Sequence, residues 1–148
     1  MTQILILGIG NLLLSDDGVG VQTVWRLQQK QLPEEVQVVD GGTCGLDLLQ
    51  FLEGVDRLII VDAIKAGQPP GTLIRMANEE VPAYLALKVS PHEIGLPELL
   101  FTAKLRDIYP PEVVVLGVQP ESLETGVDLS PVVAAQVDEL VEKILAEL

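Results

Sequence analysis

Four short runs of aliphatic residues, Ile4–Leu7, Val36–Val39, Leu58–Val61 and Val113–Val118, constrain this chain more than any other feature. Each is nearly continuous in hydrophobicity rather than alternating with polar residues, so each needs cover on both faces, as strands of a parallel sheet have. A weaker run, Gly71–Met76, follows the turn "AGQPPG". That connection is too short for a parallel crossover, so the run is expected to lie antiparallel to the third strand. Helical patterns fall between the runs. One spans about Gly18 to Lys30, with Val21, Val24, Trp25 and Gln28 on its stripe and Ser15 or an aspartate as its cap. A short one covers Leu46 to Leu52, and another, Ile94 to Arg106, carries Leu99, Leu100 and Ala103 at helical spacing. The last opens with Ser130 as N-cap and Pro131 at N1, then buries Val133, Val137, Leu140, Val141 and Ile144. Strands alternating with helices predict a doubly wound α/β layer structure, and 148 residues without repeat or long linker predict a single domain, 1–148.

Charge and composition narrow the partners. A formal net charge of −13, from 22 acids against 9 bases, opposes contact with nucleic acid phosphates and suits a basic protein face, a cation, or plain solubility. No apolar run approaches the roughly 20 residues needed to cross a bilayer, so no membrane partner is expected. The N-terminal residues read as a buried strand and not as a signal peptide, and the one cysteine, Cys44, can form no intramolecular disulfide. A cytoplasmic protein is the expectation. Cys44, in a "GGTCG" turn, reads as a small, partly buried filler, and Trp25 as a core residue.

In doubly wound sheets, ligands bind outside the carboxyl ends of the strands. There the sequence places Gly8, Gly10, Asn11, Asp16 and Asp17 after the first strand, Asp40, Gly41, Gly42 and Thr43 after the second, and Asp62 after the third. Three successive strand ends thus carry acids. Each could simply cap the helix that follows it, but like charges gathered at one edge are costly unless something positive holds them. A nucleotide fits poorly. Gly8-x-Gly10-x-x-Leu13 lacks the third small residue of the dinucleotide fingerprint, and Asp16 and Asp17 would oppose a pyrophosphate. A cation fits better. Asp17 and Asp62 need a companion ligand, and the chain has one imidazole, His92, in "KVSPHEIGL" before a helix. Such a set suits Ni²⁺, Zn²⁺, Mn²⁺ or Fe²⁺ without choosing among them. No G-x-S-x-G or comparable nucleophile context occurs, so any hydrolysis is expected to use a metal-activated water.

The stretches "ILILGIGNLLLSDDGVG", "VVDGGTCGLDLL", "LIIVDAI", "PGTLIRM", "KVSPHEIGLPELL" and "VVVLGVQPESLETGVDLSP" together resemble the successive blocks of the nickel–iron hydrogenase maturation endopeptidases, from Ile4 to about Leu145. The resemblance implies an α/β fold, doubly wound, with a mainly parallel five-stranded twisted sheet and helices on both faces. It implies an endopeptidase that removes the C-terminal extension of a nickel-loaded hydrogenase large subunit precursor. It assigns metal contact to Asp17, Asp62 and His92. The family carries Glu or Asp at the first of these positions, and the shorter Asp17 must reach further. The loop of Asp40, Gly41, Gly42 and Thr43 resembles the family's glycine loop for reading the substrate. Gly41, Gly42 and Thr43 are the substrate-binding candidates and Asp40 the catalytic candidate should the metal only be recognised. Ni²⁺ is expected to arrive with the substrate, Zn²⁺ or another divalent ion being able to stand in, and the protease to work as a monomer. The alternatives are a receiver-like module, a nucleotide-binding α/β protein, or a silent chaperone of the hydrogenase subunit. A receiver would need a lysine after the last strand, where this chain has Gln119 and Pro120.

Overall fold

The computed structural model describes residues 2–87 and 95–148. Its centre is one sheet of strands β1 (Ile4–Ile9), β2 (Val36–Gly42), β3 (Arg57–Ala63), β4 (Leu73–Ala77) and β5 (Glu112–Val118), in the order β2-β1-β3-β5-β4. The pairs β1–β2, β1–β3 and β3–β5 are parallel, and β4 is antiparallel to β5. The helices are α1 (Val19–Leu27), α2 (Val81–Leu87), α3 (Leu96–Leu105), α4 (Pro131–Ala134) and α5 (Val137–Ala146).

Near-continuous hydrophobicity is explained by two cores. Successive side chains of a strand point to opposite faces. Leu5, Leu7, Leu58, Ile60, Val113 and Val115 pack on one face with Leu99 and Leu100 of α3 and Tyr84 of α2. Ile4, Ile6, Ile59, Val61, Val114 and Leu116 pack on the other with Val24 and Leu27 of α1 and Leu140, Val141 and Ile144 of α5. The doubly wound, mainly parallel five-stranded architecture expected from sequence is therefore the observed one. Among the described residues, no helix is long and apolar enough to cross a membrane.

Several expected details change. β4 pairs with β5, not with β3. Val113–Val118 is buried on both sides and takes the interior position beside β3, while the half-buried β4, with exposed Arg75, is left at the edge where a charged side chain can reach water. The strands also run further than their apolar runs. β3 continues through Asp62 and Ala63, paired with Gly117 and Val118, and β2 continues through Asp40 to Gly42. The Leu46–Leu52 helix is a 3₁₀ helix, Gly45–Phe51. The last helix is broken into α4 and α5, and α2 is an element the sequence reading lacked. Trp25 is not core: the buried line of α1 runs Val21, Val24, Leu27, which turns Trp25 out to 43% exposure. Cys44 is exposed rather than partly buried.

Candidate functional site

The first loop is folded by backbone demands before any chemistry. Gly10 has φ +134°, and a Cβ there would collide with the backbone carbonyl oxygen of Asp17. Only glycine allows β1 to turn back so tightly. The Asn11 N–H donates to Asp17 Oδ2 at 2.8 Å, and a 3₁₀ turn, Ser15–Gly18, leads into α1. At Gly20, a Cβ would press on the carbonyl oxygens of Ile9 and Val61, so α1 meets the sheet through this glycine and not through the third fingerprint position.

The two adjacent aspartates have separate tasks. Asp16 is fully buried and receives four hydrogen bonds: from Glu121 N–H (2.9 Å), Ser122 N–H (3.0 Å) and Ser130 Oγ (2.8 Å) at Oδ2, and from Ser130 N–H (2.7 Å) at Oδ1. Burial works to raise its pKa. The hydrogen bonds from Ser122, Ser130 and Glu121 outweigh it and hold the carboxyl below the ordinary carboxylate value. Ser15 joins the same loop, its N–H donating to Gly126 O and its hydroxyl to Glu124 O. Neither Ser15 nor Ser130 spends its side chain on a helix cap.

Asp17 points the other way and is 4% exposed. It lines a small cavity of about 20 Å³ with Ala63, Tyr84, Leu87 and Pro120. That volume suits about one water or ion. Asp62, fully buried at the end of β3, accepts the Ala63 N–H at Oδ1 (2.8 Å) and the Tyr84 hydroxyl at Oδ2 (2.7 Å). Tyr84 thus forms cavity wall on one side and bonds Asp62 on the other. Among the described residues, no group of three or more His, Cys, Asp or Glu side chains could hold a metal ion. The third expected ligand, His92, lies outside the described residues.

Asp40 stands apart from this pair. Gly8 pairs with Asp40 on one side and Val61 on the other, so Asp40 and Asp62 occupy the same end of the sheet with β1 between them. Two strand spacings separate β2 from β3, roughly 10 Å. Asp40 is exposed, and its Oδ2 accepts the Trp25 indole N–H at 2.9 Å. Gly41 and Gly42 belong to β2, not to a loop. The register slips by one residue between Gly8 and Ile9, leaving Gly41 as a bulge, and Gly42 has φ +47°. A Cβ on Gly41 would meet Leu7, Leu48 and the Gly8 carbonyl within 3.0 Å, so its absence is a packing requirement. Thr43 follows, exposed.

Sequence reasoning missed Tyr84 and the task of Asp16. A trace of the first was present: Val81 and Tyr84 stand at helical spacing in "VPAYLAL", and both are buried. Nothing local foretold Asp16, whose partners lie more than a hundred positions further along the chain.

Fold and site define a doubly wound α/β protein with two buried carboxylates near its strand ends, Asp17 lining a small cavity and Asp62 bonded to Tyr84, which lines the same cavity. Comparison with known proteins makes this specific. The family model HycI, hydrogenase maturation protease, matches residues 21–147. The hydrogenase 2 maturation protease of Escherichia coli (strain K12) is 42% identical over 148 residues, covering 99% of this chain and 90% of that protein. Among solved structures, the hydrogenase maturating endopeptidase HybD from E. coli superposes with a TM-score of 0.92 at 42% identity, over 99% of this chain and 92% of that one. The [NiFe] hydrogenase maturation protease HybD from Thermococcus kodakarensis superposes with a TM-score of 0.81 at 28% identity, covering 99% of both chains. This chain belongs to the hydrogenase maturation protease family, and its activity is that of an endopeptidase. The receiver-like, nucleotide-binding and non-catalytic chaperone readings are set aside.

Proposed function

We propose that this protease removes the C-terminal extension of a hydrogenase large subunit precursor that already carries nickel, and that the nickel is the feature it recognises. Asp17, Asp62 and His92 contact the ion as part of the substrate. Asp40, with Gly41, Gly42 and Thr43, receives the extended peptide. The support comes first from donor chemistry. Carboxylates and imidazole suit a divalent first-row cation, and three donors leave coordination positions to the substrate's own thiolates. A maturation protease matched above is named for [NiFe] hydrogenase, which fits nickel as the cargo.

Asp40 is the exposed carboxylate at the same sheet end, oriented by Trp25. We assign it the proton of the water that adds to the scissile carbonyl. The turn at Gly42, where a Cβ would have only Asp40 near it, leaves room for substrate backbone to pass close to the end of β2.

The observation that carries the reading is that two buried carboxylates are linked to Tyr84: Asp62 accepts its hydroxyl, and Asp17 lines the small cavity that Tyr84 also lines. The decisive experiment incubates the protein with nickel-loaded and nickel-free precursor and reads the large-subunit mass. Cleavage of the loaded form alone is expected, and it should be lost in Asp17→Ala, Asp62→Ala and His92→Ala. Unchanged cleavage in all three would eliminate nickel contact by these residues.

A further inference from the structure

Tyr84 is a buried polar group with no assigned task. It is fully buried in the core with Val81, Leu99 and Leu100, where a phenylalanine ring would pack as well. A buried tyrosine hydroxyl needs a partner, and here that partner is Asp62 Oδ2 at 2.7 Å. This length is that of a well-formed O–H···O hydrogen bond. The main chain of Asp62 is already fixed, since β3 pairs with β5 at Asp62 and Gly117. Its Oδ1 is fixed by the Ala63 N–H. The Tyr84 hydroxyl holds Oδ2, and so takes part in setting which way Asp62 presents its oxygens. Tyr84 also lines the cavity that Asp17 lines.

We propose that Tyr84 is a positioning residue. Through one hydrogen bond it orients Asp62 toward the cation carried by the substrate. The inference rests on the nickel-contact reading above. Groups that orient ligands in this way are worth 10–100-fold in metal affinity or activity.

The test uses Tyr84→Phe, which deletes one oxygen and keeps the ring. Three quantities are measured: thermal unfolding, Ni²⁺ binding to the isolated protein by calorimetry, and kcat and KM on nickel-loaded precursor. Expected are a Kd for Ni²⁺ and a KM that rise together, by about 10–100-fold, with kcat and the unfolding midpoint nearly unchanged. Asp62→Ala and the double variant complete a cycle. If Tyr84 acts through Asp62, removing its hydroxyl costs nothing further once Asp62 is alanine. Unchanged constants in Tyr84→Phe would overturn the proposal, and so would a loss of Ni²⁺ affinity that repeats in full on the Asp62→Ala background. A variant that cannot fold would assign the hydroxyl to stability and overturn it as well. Should Asp62→Ala itself cleave normally, the nickel-contact reading fails and this inference with it. Should Asp62→Ala fail to cleave while Tyr84→Phe is normal, only the inference fails.

Discussion

Asp16 and Ser130 are joined twice: the Ser130 N–H donates to Oδ1 at 2.7 Å, and its hydroxyl donates to Oδ2 at 2.8 Å. The pair ties the loop between β1 and α1 to the entrance of α4. With the Glu121 and Ser122 N–H groups on the same carboxylate, Asp16 is the knot between two loops, and the next residue along is Asp17. Of the two neighbouring acids, one therefore ties two loops together and the other lines the small cavity.

Removing the knot should damage stability before chemistry. Asp16→Ala leaves four donors without their charged acceptor. A hydrogen bond to a charged group contributes about 1.5–3 kcal/mol, and loop donors can partly rehydrate, so a loss of about 3 kcal/mol is expected. Ser130→Ala removes one donor and keeps the N–H contact, for a loss of about 1 kcal/mol. Urea unfolding of the two variants checks the ratio. Equal and negligible losses would show that the loop is held by something other than this carboxylate.

Gly10→Ala should be severe. A residue other than glycine at φ +134° is strained by about 1–3 kcal/mol, and here the new Cβ also meets the Asp17 carbonyl, which no flexible side chain can yield. The loop must move, and Asp17 moves with it. Cleavage of precursor is expected to disappear even in the folded fraction. A variant with wild-type cleavage would mean that the position of Asp17 is unimportant.

How much of this was legible beforehand follows from the range of each interaction. The position of Asp17 and Asp62 at strand ends was legible because a strand followed by an acid is a local pattern, and both are buried there. The pairing of β4 was not legible: whether Gly71–Met76 lies beside β3 or beyond β5 depends on which strand competes better for the buried position, and β5 wins by apolar content on both faces. Over its described residues α2 has Pro82 near its start and shows only Val81 and Tyr84 as a buried pair, so its periodicity is thin. Its tyrosine could not be placed until the helix was. The final helix looked continuous from Pro131 onward because Val133, Val137, Leu140, Val141 and Ile144 keep helical spacing across the break between α4 and α5.

Away from the site, Tyr109 predicts a specific alkaline behaviour. Burial raises its pKa above the ordinary 10.0, and the Lys104 ammonium lies 4.8 Å from the centre of its ring. A group whose folded pKa is raised contributes stability that is fully present below the unfolded value and is lost as pH rises through the folded one. Stability should therefore fall above about pH 10. Tyr109→Phe, which cannot ionise, should flatten that limb in chemical unfolding followed from pH 8 to pH 11. An identical alkaline decline in the variant would remove Tyr109 from the account.

The contact between Trp25 and Asp40 offers both a perturbation and a reporter. Trp25 is the one tryptophan of the chain, 43% exposed, with its indole N–H on Asp40 Oδ2 at 2.9 Å. Trp25→Phe keeps an aromatic ring on α1 and deletes the donor. Because the bond is exposed, unfolding free energy should change by no more than about 1 kcal/mol. Catalysis should change more, since displacing a reacting group by about 1 Å can cost about 10²-fold in rate. If Asp40 handles the proton of the attacking water, cleavage is expected to fall by about tenfold or more in Trp25→Phe. It should be abolished in Asp40→Ala and partly retained in Asp40→Glu, which keeps the carboxylate. In the wild type, precursor that docks against β2 must pass this indole, so its emission should shift on mixing with precursor and saturate with the same concentration dependence as cleavage. A saturating cleavage curve with silent tryptophan emission would place the substrate elsewhere on the sheet edge. Full activity in Asp40→Ala would leave the proton to another group.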